Sequence, residues 1–104
     1  MALVITDATL SEVLSENELV VLDFWAQWCG PCRMLGPIID EVANEITDVA
    51  IGKVDVEANA VASTKYVITS IPCIIFIKNG IEVDRHKGVL SKSALKGKID
   101  MLRN

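Results

Sequence analysis

Residues 20–25, VVLDFW, set five apolar side chains and one aspartate in six consecutive positions. A strand with one wet face alternates apolar and polar residues, so an unbroken run of this kind requires cover on both faces. The chain must therefore build helical layers above and below a central sheet. With 104 residues, 51% of them hydrophobic, it is long enough to do so as one domain, residues 1–104, without metals or multiple cross-links. No repeat, low-complexity tract or Gly/Ser-rich linker divides it.

The remaining elements follow from spacing. Leu3 to Ile5 forms a weak first strand, and Thr9-Leu10-Ser11-Glu12 has the pattern of a capping box that opens a short helix running to about Ser15. Met34, Leu35, Ile38, Ile39, Val42 and Ile46 recur at helical spacing, which predicts a helix over 32–46 with one buried stripe and a kink at Pro37. Val49 to Val56 reads as a strand and Ala58 to Tyr66 as a short helix. Cys73 to Lys78 and Ile81 to Lys87 flank Asn79-Gly80, whose residues accept the positive φ angles of a type I′ hairpin turn. Ser91 to Leu102 closes the chain as a helix. The order implies an α/β domain: parallel crossovers early, an antiparallel hairpin at the edge, and helices on both faces of a mixed sheet.

Charge and cysteine content narrow the function. A net charge of −4 argues against a nucleic-acid binder. Most acidic residues precede residue 60 and most basic ones follow it, as solvated faces of different elements would. The start, MALVITDATLSEVL, lacks a basic region followed by an apolar core, and no apolar stretch approaches the length of a bilayer span, so a soluble, unexported protein is expected. In a reducing compartment, a CxxC is redox-catalytic or metal-binding more often than a permanent staple.

Cys29 and Cys32 lie where the VVLDFW strand ends and the next helix begins, with Pro31 in the first turn. Three residues apart on a frayed helix start, their sulfurs can reach bonding distance, and the tiny loop they close gives little entropic stabilisation. Cys29 faces the positive end of the helix dipole and its free amides, which favours the thiolate and lowers its pKa. These features suit Cys29 as the nucleophile of disulfide exchange and Cys32 as the resolving thiol. A metal site would need about four ligands, and only Cys73 and His86 remain as candidates. His86 is more simply a strand residue. Asp23, inside an apolar strand, is either a carboxyl whose pKa burial raises or an ordinary ion-paired acid.

WCGPC after VVLDFWA, a later Ile-Pro, KNG in a hairpin and a closing G-x-L-S-K stretch resemble the thioredoxins over essentially the whole chain. The resemblance implies the thioredoxin fold, a central mixed five-stranded sheet flanked by four helices. It implies a thiol-disulfide oxidoreductase that reduces disulfides in target proteins, with Asp23 as the proton acceptor for Cys32 and Lys53 as its partner. It implies a cis Ile71-Pro72 bond and a shallow groove of Trp28, Gly30, Pro31, Ile71, Pro72 and Gly88 that receives an extended substrate segment. Trp25 remains plain core. No cofactor would be bound; reducing equivalents would come from NADPH through a flavin-containing thioredoxin reductase. The expected partners are that reductase and disulfide-containing proteins, with no metal, nucleic acid or membrane, and the expected state is a cytoplasmic monomer.

Two positions depart from the family pattern. Cys73 follows the proline where Thr is common; it is either an inert small hydrophobe, as a buried strand thiol would be, or a third reactive sulfur near the site. Lys87 precedes Gly88 where an apolar residue is usual, which biases the groove toward acidic partners. Two other functional classes are compatible with the cysteine pair: a binding module that uses the groove without redox turnover, and an iron-sulfur or zinc protein. Within the redox class, the Gly-Pro dipeptide resembles the reducing members.

Overall fold

A computed structural model describes residues 1–103. Its elements in chain order are β1 (Leu3–Val4), α1 (Leu10–Glu16), β2 (Leu19–Trp25), α2 (Gly30–Glu45), β3 (Ala50–Asp55), α3 (Ala60–Lys65), β4 (Cys73–Lys78), β5 (Ile81–Lys87) and α4 (Lys92–Leu102). The five strands form one sheet in the order β1-β3-β2-β4-β5, parallel among β1, β3 and β2 and antiparallel from β2 to β4 and β4 to β5. The sequence-predicted mixed sheet with four flanking helices is the observed architecture.

Strand β2 sits in the middle, paired with β3 along one edge and β4 along the other. Its alternate side chains go to opposite faces. Val20, Leu22 and Phe24 join Leu10 of α1, Ala62 of α3 and Tyr66 in one core, where the Phe24 and Tyr66 ring centroids are 6.0 Å apart. Leu19 and Val21 join Leu35, Ile39 and Val42 of α2 and Leu95 and Ile99 of α4 in the other. Each fully buried side chain of this size contributes roughly 1.5–3 kcal/mol, so the two-sided burial of one strand fixes both helical layers.

Several local expectations are corrected. Thr9 and Glu12 do not form a capping box: the Thr9 N–H donates to the Thr6 carbonyl at 3.1 Å and its hydroxyl oxygen accepts from the Thr6 N–H at 3.0 Å, so a preceding turn has taken both groups. Helix α2 begins at Gly30 rather than at 32, because Cys29 itself is the N-cap, and Pro37 lies within it. Met34, expected in the buried stripe, is 67% exposed. It lies about 100° round the helix from buried Leu35, off the face that meets the sheet. Helix α3 starts at Ala60 rather than Ala58. Asp7, distant in sequence, accepts from the Val61 and Ala62 N–H groups at 3.2 and 2.8 Å, and the Asn59 side chain ties Asp7 to this start.

Asn79 and Gly80 have φ of +52° and +80°, as a type I′ turn requires. The acidic first half and basic second half meet where α4 lies against α2: Lys92 pairs with Glu41 and Glu45, Lys96 with Glu45, and Arg103 with Asp48.

One glycine is demanded by close approach. A Cβ on Gly52 of β3 would lie 2.7 Å from Ile5 Cγ1 and 3.1 Å from the carbonyl oxygen of Leu3, its partner on the parallel strand β1. Gly52→Ala is expected to lower stability by about 1–3 kcal/mol, read as a fall in the midpoint of urea unfolding; an unchanged midpoint would show that β1 can yield.

Candidate active site

A turn closed by the Cys29 N–H on the Ala26 carbonyl at 3.2 Å carries the chain from β2 into α2. Cys29 has extended backbone angles, φ −89° and ψ 112°, and its carbonyl accepts the first helical bond from Arg33 at 3.3 Å. Its sulfur accepts from the Cys32 N–H at 3.3 Å. The side chain thereby takes the position that Ser or Asp occupies in ordinary caps, with sulfur as the acceptor of a free helix amide. Pro31 follows in the first turn, where its missing N–H is no loss.

Cys29 and Cys32 are joined as a disulfide, with Cα atoms 5.2 Å apart. Both are buried, and Ala26 and half-buried Trp25, Val56 and Ile71 pack around them. The Ile71–Pro72 peptide is cis, and the Ile71 carbonyl oxygen is 3.9 Å from Cys29 Sγ. Gly88, at φ +99°, donates its N–H to the Pro72 carbonyl at 2.9 Å, which holds the end of β5 against this bend. Trp28 is 67% exposed beside the disulfide. Gly30 and Pro31 open α2 at the same surface. Trp28, Gly30, Pro31, Ile71, Pro72 and Gly88, expected from the sequence to form a groove, thus lie at one pole of the molecule, around the two sulfurs.

Between Trp28 and Ile71 lies a cleft of about 200 Å³ whose other walls are Val56, Ser63, Ile68, Thr69 and Ser70. Sequence reasoning missed these five. The segment before Pro72 has no periodicity, and only its adjacency to the Ile-Pro motif signals it.

Asp23 lies on the α2 side of the sheet, 1% exposed, and neither carboxylate oxygen has a hydrogen-bond partner among the described residues. Burial pushes its pKa up to about 7; the nearby Lys53 opposes this and the Asp40 charge reinforces it. Lys53 lies opposite Asp23 in the β2–β3 register, yet its Nζ donates to Asp40 Oδ2 at 3.0 Å. Asp40 also accepts from the Ala2 N–H, and its own pKa is lowered despite some desolvation. A cavity of about 190 Å³ lined by Asp23, Trp25, Cys32, Arg33, Gly36 and Lys53 connects the acid to the inner sulfur. The signal for Asp40 was present in the sequence: Cys32, Gly36 and Asp40 are spaced by four and share one helix face.

Cys73 is a free thiol, 1% exposed, at the start of β4, and its pKa is raised chiefly by burial. Lys87 is exposed opposite it on β5. His86 pairs with Ile74 in the hairpin. Among the described residues no group of three or more His, Cys, Asp or Glu is arranged to hold a metal ion, and no helix is long and apolar enough to cross a membrane.

A disulfide between the N-cap and the first turn of a helix, placed at the end of the central strand of a mixed α/β sheet, defines a thiol-disulfide redox domain. Residues 1–101 match the family model described as Thioredoxin, and the chain belongs to the thioredoxin family. It is 46% identical over 89 residues to the thioredoxin of Mycoplasmoides gallisepticum, covering 86% of this chain and 89% of that one. To thioredoxin 1 of Synechococcus elongatus it is 41% identical over 102 residues, covering 96% and 95%. The solved thioredoxin of Fasciola hepatica superposes with a TM-score of 0.87 at 43% identity over 97% of this chain and 98% of that one. The protein is accordingly a thiol-disulfide oxidoreductase, a protein disulfide reductase that works through the Cys29–Cys32 pair.

Two predictions follow from the buried acid. Well below pH 3.8 Asp23 is protonated whether the chain is folded or not; as pH rises through 3.8 toward about 7 the unfolded chain releases its proton first, so folding loses stability. The displacement from 3.8 to about 7 corresponds to about 4 kcal/mol above pH 7. In urea unfolding, the stability of Asp23→Asn relative to the parent should therefore rise between pH 4 and 8, and a pH-independent difference would exclude a raised Asp23 pKa. Asp40→Asn removes a charge that raises the Asp23 pKa and releases Lys53, so carbon-detected NMR titration should place Asp23 below the parent value. An equal or higher value would show that the Lys53–Asp40 pair does not tune the acid.

Proposed function

We propose that Cys29 is the attacking thiolate and Cys32 the resolving thiol of a cycle that reduces disulfides in docked proteins, with Asp23 accepting the Cys32 proton. The observation that carries this reading is the placement of Cys29 Sγ as N-cap acceptor of the Cys32 N–H. In the reduced protein the same donor, with the helix N-terminus behind it, stabilises negative charge on that sulfur. The thiolate attacks one sulfur of the substrate disulfide, forming a Cys29–substrate bond and releasing the other substrate sulfur as a thiolate. Cys32 then gives its proton to Asp23 through the cavity they share and attacks Cys29 Sγ. The Cys29–Cys32 bond forms, the second substrate thiolate leaves, and two electrons have passed to the substrate.

Asp23 suits its task because its pKa of about 7 lets it take and release a proton near neutral pH. Lys53 tunes that value at a distance while bonded to Asp40. The substrate segment lies extended along Ile71 and Pro72, with Trp28, Gly30, Pro31 and Gly88 flanking it, and its backbone pairs with that of Ile71. Lys87 adds a preference for acidic segments. Recharging falls to a thioredoxin reductase that carries electrons from NADPH through a flavin, in the cytoplasm, with the chain acting as a monomer without a cofactor of its own.

Replacing each cysteine separates the roles. Cys29→Ser should abolish reduction of insulin disulfides, whereas Cys32→Ser should still attack once and accumulate a Cys29 mixed disulfide detectable by mass. Trapping on residue 32 in Cys29→Ser at comparable rate would reverse the assignment. Retention of biological function by the double serine variant would favour a binding module.

A further inference from the structure

Strand β5 contains one residue more than its partner: Phe76 lies opposite Asp84 and Ile77 opposite Glu82, so Val83 is a bulge. In a regular strand, residues 82 and 85 point to opposite faces. The extra residue cancels that alternation, and Glu82 and Arg85 lie opposite Ile77 and Ile75, both members of the core under α1 and α3. Glu82 then receives Arg85 as a fork, Nε to Oε2 at 2.8 Å and Nη2 to Oε1 at 2.9 Å.

The same guanidinium reaches across to the end of α3. Its Nη2 donates to the Tyr66 carbonyl at 2.6 Å and its Nη1 to the Val67 carbonyl at 3.4 Å. Val67 is a β-branched residue held at φ +50°, in the left-handed region that such side chains rarely adopt. Directly after it come Ile68, Thr69, Ser70 and Ile71, one wall of the Trp28 cleft. The far end of that wall is tied to the same strand by the Gly88 N–H on the Pro72 carbonyl. Strand β5 and the residue after it therefore grip the segment at both ends, by side chain at Arg85 and by backbone at Gly88.

We propose that the Glu82–Arg85 pair is a positioning device for the docking cleft, holding residues 67–71 in the shape that receives the chain around a substrate's cysteine. It rests on the reading of that cleft as the protein-substrate groove. Arg85 touches neither sulfur nor substrate, so its effect falls on affinity for a protein disulfide. A small aromatic disulfide needs only Cys29 Sγ and bypasses the wall.

The test compares Arg85→Ala with the parent on insulin and on a small aromatic disulfide, together with amide hydrogen exchange. Ordering the loop anew on each encounter should raise KM for insulin about fivefold with kcat within about twofold, leave the small disulfide's rate unchanged, and speed exchange at residues 68–71. An unchanged insulin KM, or equal losses on both substrates, would overturn the proposal. Should Arg85→Ala fail to fold, Glu82→Gln keeps the guanidinium and weakens its anchor; the same pattern at smaller amplitude is expected, and its absence counts against the pair equally. A parent inactive on insulin would refute the proposed function instead, and exchange at 68–71 would still decide the clamp: no acceleration in either variant overturns it.

Discussion

The burial of β2 on both edges and both faces is the constraint on which everything else depends. Because its neighbours are strands on each side, its backbone groups are satisfied within the sheet, and because its side chains alternate, one six-residue run anchors two separate cores. The same alternation assigns Asp23 to the α2 face. One turn later the chain enters α2, so the acid and the inner cysteine share a cavity as a consequence of register. Shifting β2 by one residue would send Asp23 into the α1/α3 core and bring Phe24 toward the cysteines.

What was legible in the sequence was whatever a single element decides by itself. The apolar run of β2, the periodic stripe of α2, the Asn-Gly turn and the Cys-Gly-Pro-Cys start each carry their own cause within a few residues. What was not legible depended on partners distant in the chain. The capping box at Thr9 failed because Thr6 competed for the same groups. The cap of α3 came from Asp7, more than fifty residues away. Lys53, aligned with Asp23 in the sheet, is bonded to Asp40 because α2 crosses above β3. Met34 matched a hydrophobic pattern that its angular position on the helix did not support.

The charge distribution shows the same division between composition and fold. A carboxylate-rich first half and an ammonium-rich second half look like independent solvated faces until α4 is placed beside α2. These pairs are exposed, so each contributes little to stability. Lys92 and Lys96, one turn apart, both reach Glu45, while the buried packing of Leu95 and Ile99 on Leu35, Ile39 and Val42 sets how α4 lies against α2.

The acid behind the disulfide sets stability against chemistry. A carboxyl at this depth would be better replaced by an apolar residue for folding alone, since no hydrogen bond compensates its burial. A direct pair with Lys53 would offset that cost, but it would also hold the carboxylate charged and lower its proton affinity. Asp40 prevents this by occupying the ammonium. The lysine is left close enough to lower the Asp23 pKa without cancelling the effect of burial, which raises it to about 7. The three residues from β2, β3 and α2 are therefore electrostatically coupled: burial raises the Asp23 pKa, Lys53 opposes the rise and the Asp40 charge adds to it.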